Sequence, residues 1–307
     1  MNIEVFKGEE FSHLYQDRMF PYSQKVLHLV LSYLEEKKGR PFEVVVDAGC
    51  GTGRSTRPLA EHFCEVIGID ISESQIKVAR KCTPQRNITY QVASVAKMPL
   101  EDASVDLINA DVAAHWFPID EFITEATRVL KNRGCLALHC LYPTFTVKYK
   151  NCSETLTNIF NEAFEYLCKF EVKGLTILKS KYQAMFEALP FAGKQRITDI
   201  QEMFHLTLAE LLGFLKSTCI CRIFLTKDKV AAVDFLQSVK KRMVDAMGEI
   251  SGEEILEFHV TYFCILAYVS ESSGSSVYSG KESEIEERGN RGASQRRAAG
   301  ASGGGRG

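Results

Sequence analysis

Residues 44–56 read V-V-V-D-A-G-C-G-T-G-R-S-T, and the fold turns on this stretch. Val44, Val45 and Val46 are a β-branched apolar run, the pattern of a buried strand. Asp47 follows, and glycines at 49, 51 and 53 then alternate with Cys50 and Thr52 before a run able to start a helix. Glycine at a strand-to-helix turn lets the backbone take positive φ and approach a ligand closely. The helix start leaves N–H groups without intrahelical partners, and these are expected to face that ligand. An adenosine-like or carboxylate-bearing group suits such a turn.

The dinucleotide fingerprint G-x-G-x-x-G is one reading. Gly49 and Gly51 fit it, but Arg54 stands at the third glycine position. A second reading is a purely structural turn. Residues at fixed distances downstream decide between them. Glu65–Asp70 reads as a second strand that ends in an acid 21 residues after Gly49. In a βαβ unit this spacing sets the acid beside the glycine turn, where it can accept hydrogen bonds from both ribose hydroxyls. The alternative role for Asp70 is a helix N-cap, which Ser72 or Ser74 also suits.

With Asp47 ahead of it, D-A-G-C-G-T-G resembles motif I of the class I S-adenosylmethionine (SAM) methyltransferases. Ala93-Ser-Val-Ala-Lys-Met-Pro-Leu100 resembles the segment of that family that meets adenine, with Ser94 at the polar position and Val95 next to it. Ala114-His115-Trp116-Phe117, after the fourth strand, resembles a subgroup that includes trans-aconitate methyltransferases, of the type 11 methyltransferase domain. Val129–Gly134 resembles the family's turn before strand five, and residues 204–219 resemble a subgroup helix in which Lys216 replaces Arg. The likeness covers about residues 11–269. It implies an α/β, Rossmann-like, mostly parallel seven-stranded sheet, with helices on both faces and the last strand antiparallel. It implies SAM as cofactor, held by Asp47, Gly49, Gly51, Gly53, Asp70, Ile71, Ser94, Val95, Asp111 and Ala113.

The chain totals fit this frame. At 307 residues, 45% hydrophobic and 25% charged, the chain is long enough to bury a core without disulfides. A net charge of −2 gives no basis for broad nucleic-acid or membrane-surface binding. Ten cysteines without a C-x-x-C pair argue against a zinc site, so no metal is expected. The acidic opening M-N-I-E-V-F-K-G-E-E and the lack of a long apolar run point to a cytoplasmic protein with free thiols and no membrane span. A small molecule is the expected partner; oligomeric state is not legible.

Residues 1–40 read as an N-terminal helical lid, with helix spacing after Pro21 and Gly39 as its stop. Residues 41–142 read as the cofactor-binding core, with helices at 55–63, 74–81 and 121–130 and strands at 87–92, 104–110 and 136–140. Residues 143–193 read as a helical cap insertion, and residues 194–269 as the rest of the sheet, with a helix at 226–247 and an apolar strand at 258–269. Residues 270–307 are rich in Ser, Gly and charge and read as a disordered tail.

Methyl transfer from a sulfonium is a displacement in which positioning supplies much of the rate. His115 reads either as a general base or as a structural histidine, and Trp116 either as a site aromatic or as core. Tyr15, Arg18 and Tyr22 lend themselves to the substrate or to a cap on the core; Arg18 or Lys216 would pair with a carboxylate acceptor. Two further classes stand beside the methyltransferase: a non-catalytic SAM-binding protein and an NAD-binding oxidoreductase.

Overall fold

The computed structural model describes residues 8–249 and 251–270, in which seven strands form one sheet. They are β1 (Val44–Ala48), β2 (Glu65–Asp70), β3 (Ile88–Val92), β4 (Val105–Asp111), β5 (Leu130–Lys148), β6 (Ala192–Thr207) and β7 (Ile255–Tyr268), in the order β3-β2-β1-β4-β5-β7-β6. The first five strands are parallel, and β7 runs antiparallel to both β5 and β6. From β1 the chain winds outward through β2 and β3, then returns to β4 on the other side of β1. In open α/β sheets that reversal opens a crevice beyond the carboxyl ends of the two central strands.

Burial follows from position in the sheet. Residues 45–48 of β1 and 105–110 of β4 are buried without alternation, as parallel strands covered on both faces require. β6 alternates between exposed and half-buried residues along its length, the pattern of an edge strand with one face in water.

Eleven α-helices are described: α1 (Glu9–Arg18), α2 (Gln24–Lys38), α3 (Thr56–Leu59), α4 (Glu73–Lys81), α5 (Ile119–Val129), α6 (Ser153–Cys168), α7 (Val172–Lys179), α8 (Gln183–Ala188), α9 (Leu208–Ser217), α10 (Cys219–Lys227) and α11 (Lys229–Met247). Side-chain caps set several starts. Ser23 Oγ accepts from Val26 N, and α2 ends at Gly39 with φ +78°. Ser72 caps α4, which leaves Asp70 free of that role.

Several boundaries differ from the sequence reading: the strand expected over 136–140 is Leu130–Lys148, so the helical insertion expected over 143–193 begins within β5 and ends within β6. The helix expected over 55–63 shrinks to α3, and the hydroxyls of Ser55 and Thr56 at its start bond Asp47. Residues 204–206 belong to β6, and the helix waits for the capping box of Thr207 and Glu210. Asp228 caps α11 through Ala231 N, which separates a distinct α10 from the helix expected over 226–247. Residues 131–134 lie within β5, with Arg133 at φ +62° where the resemblance put a glycine-like turn.

An aromatic cluster ties the antiparallel end together. The Phe145 ring meets Phe164 edge-on at 4.9 Å and stacks on Phe258 at 5.3 Å. Phe20, which ends the N-terminal segment, packs on Phe204 and Phe214 at 4.6 and 4.8 Å. Such pairs add about 0.5–1.5 kcal/mol each beyond area burial. No helix of the described residues is long and apolar enough to cross a membrane. Apart from Ser270, the tail over 270–307 lies outside the described residues.

Candidate active site

The glycine loop leaves β1 with Gly49, Gly51 and Gly53 all at positive φ. Its shape is enforced from beneath. Asp47 is fully buried and accepts hydrogen bonds from Ser55 Oγ (2.7 Å), Thr56 Oγ1 (2.6 Å) and Asn109 Nδ2 (2.8 Å). Burial raises its pKa to about 6 against those three bonds. The N–H groups of Gly49 and Cys50 bond Ile69 O, and Gly53 N bonds Cys50 O. The expected row of N–H donors toward a ligand is therefore largely spent inside the fold. What the loop offers is close approach: a Cβ on Gly51 would meet nothing nearer than Gln75 Oε1 at 3.6 Å.

Asp70 turns toward this loop. Its Oδ2 accepts from Gly51 N at 3.0 Å and its Oδ1 from Ser72 N at 2.8 Å. Burial raises its pKa, opposed by these backbone bonds. A carboxylate has about four lone-pair sites, so both oxygens keep accepting capacity on the side that faces a cavity of ≈ 900 Å³. Gly49, Gly51, Ile71, Ser94, Val95, Asp111 and Ala113 line the same cavity. The buried Gln75 Oε1, without a partner, lines it too. An open glycine cradle, a carboxylate aimed past it and an unpaired buried amide oxygen fit a ribose-bearing cofactor such as SAM.

The cavity is covered by α1. Arg54 donates from Nη1 to Gln16 O (2.8 Å) and from Nη2 to Met19 O (2.6 Å) and Phe20 O. Arg57 adds a bond from Nη2 to Gln16 Oε1 at 3.2 Å. The residue that departs from the dinucleotide fingerprint is thus the one that ties the N-terminal segment to the loop. Tyr15 and Tyr22 enter the cavity from this segment. Burial raises the pKa of both hydroxyls and keeps them protonated.

Past β4, Val112 sits at φ +51°, a strained conformation for a β-branched residue, beside the cavity. Asp111 Oδ1 lies 3.1 Å from Nδ1 of the buried His139. His139 Nε2 in turn contacts Asn109 Oδ1 at 2.8 Å and Tyr22 Oη at 3.2 Å. His115 and Trp116 line the cavity on a 3-10 turn. His115 Nδ1 shares a hydrogen bond with Tyr182 Oη at 2.9 Å, and burial lowers its pKa to about 3. With its pKa this low the ring is a weak proton acceptor, and its Nδ1 is already engaged by Tyr182, which argues against the general-base reading.

Four of the sequence-named residues lie outside the cavity lining. Asp47 is consumed beneath the loop. A Cβ on Gly53 would fall 2.1 Å from Tyr90 Oη, so this glycine makes room for Tyr90. Arg18 is exposed and packs along Gly213 of α9, and Lys216 is exposed on α9; neither lines the cavity. Sequence reasoning missed Gln75, His139, Tyr262 and the start of α10, because chain-distant pairings bring them in. Arg54 was visible as the fingerprint's misfit, though its role was not.

Residues 46–138 match the family model of the methyltransferase domain. A Dictyostelium discoideum protein named as a methyltransferase is 33% identical over 132 residues, 43% of this chain and 48% of that one. A ubiquinone biosynthesis O-methyltransferase of Coxiella burnetii is 33% identical over 144 residues, 45% of this chain and 58% of that one. The chain spans about half the length of these curated relatives. A solved structure described as a type II methyltransferase from Anaeromyxobacter dehalogenans shares the fold, with a TM-score of 0.66, 21% identity, and cover of 82% of this chain and 99% of that one. Residues 46–138 thus match a methyltransferase domain, and about half of the chain is similar to curated methyltransferases.

Proposed function

We propose that this chain moves a methyl group from SAM to a small-molecule acceptor held in the same cavity. The observation that carries the reading is the Asp70 carboxylate, clasped by Gly51 N and Ser72 N and facing the cavity beside the open glycine cradle. Asp70 takes the ribose hydroxyls, Ser94 and Val95 the adenine, and Gly49, Gly51 and Ile71 the nucleoside's flank. Asp111 and Ala113 stand at the methionyl end, by the order of the strands that carry these residues. Bound SAM supplies a sulfonium methyl that carries its own leaving group.

The chain's own part is then positioning and exclusion of water. Burial keeps the cavity thiols protonated, Cys219 at about 12 and Cys140 higher still, which argues against a covalent intermediate on the protein. In this reading α1 is a lid and α6–α8 are a cap. The carboxylate acceptor and the trans-aconitate-like subgroup keep thin support: the A-H-W-F string reaches the cavity, whereas Arg18 and Lys216 do not. The NAD reading is disfavoured by Arg54, whose side chain is committed to the N-terminal segment.

Incubation with methyl-labelled SAM and a panel of phenols, amines, thiols and carboxylic acids tests turnover. Label transferred to any panel member supports the enzyme. Tight SAM binding with no transfer to any of them favours the non-catalytic reading.

A further inference from the structure

The cavity has two ends of different chemistry. One is the glycine loop with Asp70. The other is walled by Phe164 and Cys168 of α6, Leu175 and Leu178 of α7, Phe214 of α9 and Ile220 of α10. These side chains present carbon and a protonated thiol to the space. Apolar surface facing water is unfavourable in proportion to its area, so an apolar ligand that covers this wall is favoured.

Arg54, Glu171 and Asp70 on the cavity are already engaged. Arg54 donates to three backbone carbonyls of the N-terminal segment. Glu171 accepts from Gly174 N at 3.0 Å and caps α7. Asp111 Oδ1 lies 3.1 Å from His139 Nδ1 without a hydrogen bond, and Asp70 holds the loop. Lys173 is exposed, so an anion paired with it stays in water. Tyr15, Tyr22, Tyr262 and His115 line the same cavity. A carboxylate brought into this sector would lose its hydration and find no cation in exchange, a costly transfer. A hydroxyl or neutral amine would find hydrogen-bonding groups.

We infer that the acceptor is a molecule without an anionic group, with a hydrocarbon or aromatic body seated on the α6–α7–α9–α10 wall, whose one polar group reaches the tyrosine hydroxyls. This rests on the methyltransferase reading for its name as an acceptor, but the binding stands apart from it.

Calorimetric titration with 4-hexylphenol and 4-hexylbenzoate, each with and without S-adenosylhomocysteine, tests it. The two probes share a body and differ in charge near neutral pH. The phenol is expected to bind about tenfold tighter or more. Leu178→Lys, which sets a cation in the wall, should weaken the phenol and strengthen the benzoate with S-adenosylhomocysteine affinity unchanged. Phe164→Ala, which removes wall area without charge, should weaken both probes and serves if the lysine variant fails to fold. Benzoate bound as tightly as phenol, or neither probe bound, overturns the inference. Failure of S-adenosylhomocysteine to bind strikes the proposed function instead, and the probe titrations without it still decide this one.

Discussion

His115 shows how much of a site residue's chemistry is set by partners far along the chain. Its ring titrates near 6.5 when unfolded and at about 3 in the fold, because burial disfavours the imidazolium. A lowered pKa on a base means stability that is whole above 6.5 and is lost as pH falls. Between pH 7 and 5 the loss is about 2 kcal/mol. Asp47 works the other way: its carboxyl rises from 3.8 to about 6, so ionisation opposes folding. Acidification over the same window returns about 1 kcal/mol from Asp47. In His115→Gln only the Asp47 gain remains, so the variant's stability relative to wild type should rise by about 2 kcal/mol from pH 7 to pH 5. Urea unfolding at both pH values reads this, and a pH-independent difference would contradict it. The glycine loop and Asp70 were legible because their spacing is local. The state of His115 was not, because Tyr182 lies 67 residues away.

At the scale of elements, α1 is held by one side chain more than by its own sequence. Gly8, its N-cap, makes no side-chain cap bond, and the carbonyls at its end are taken by Arg54. Arg54→Met should raise hydrogen exchange of the α1 amides by about tenfold, with core strands unchanged. Arg54→Lys should restore little, because an ammonium lacks the planar fork that reaches several carbonyls at once. Unaltered exchange in both variants would show that packing on α4 and α9 suffices. The element list was readable where start and stop signals are local, as at Gly39 and Ser72. It failed at β6 and α10. An edge strand with half-buried residues gives a weak period, and Asp228 splits what looks like one helix.

Across the whole molecule, the two ends of the central strands divide the labour. At the end away from the cavity, the fully buried Asp106 accepts from Glu43 N and Val44 N at 2.5 and 3.0 Å. It also pairs with Lys38 at 3.2 Å and Lys131 at 3.0 Å. Asp106→Ala strands these partners and should cost about 3 kcal/mol or more of stability, read by urea unfolding, while cofactor affinity holds. The sheet itself was legible because parallel strands read as unbroken apolar runs. The shape of the cavity was not, because its walls come from helices scattered from residue 9 to residue 227.

At the carboxyl ends, everything rests on Asp70 and the glycine cradle receiving one nucleoside. Calorimetric titration of SAM into wild type and Asp70→Asn tests this most directly. Wild type should bind one SAM per chain, and the variant should bind at least about tenfold more weakly. No binding by wild type, or equal affinity in the two proteins, would contradict it.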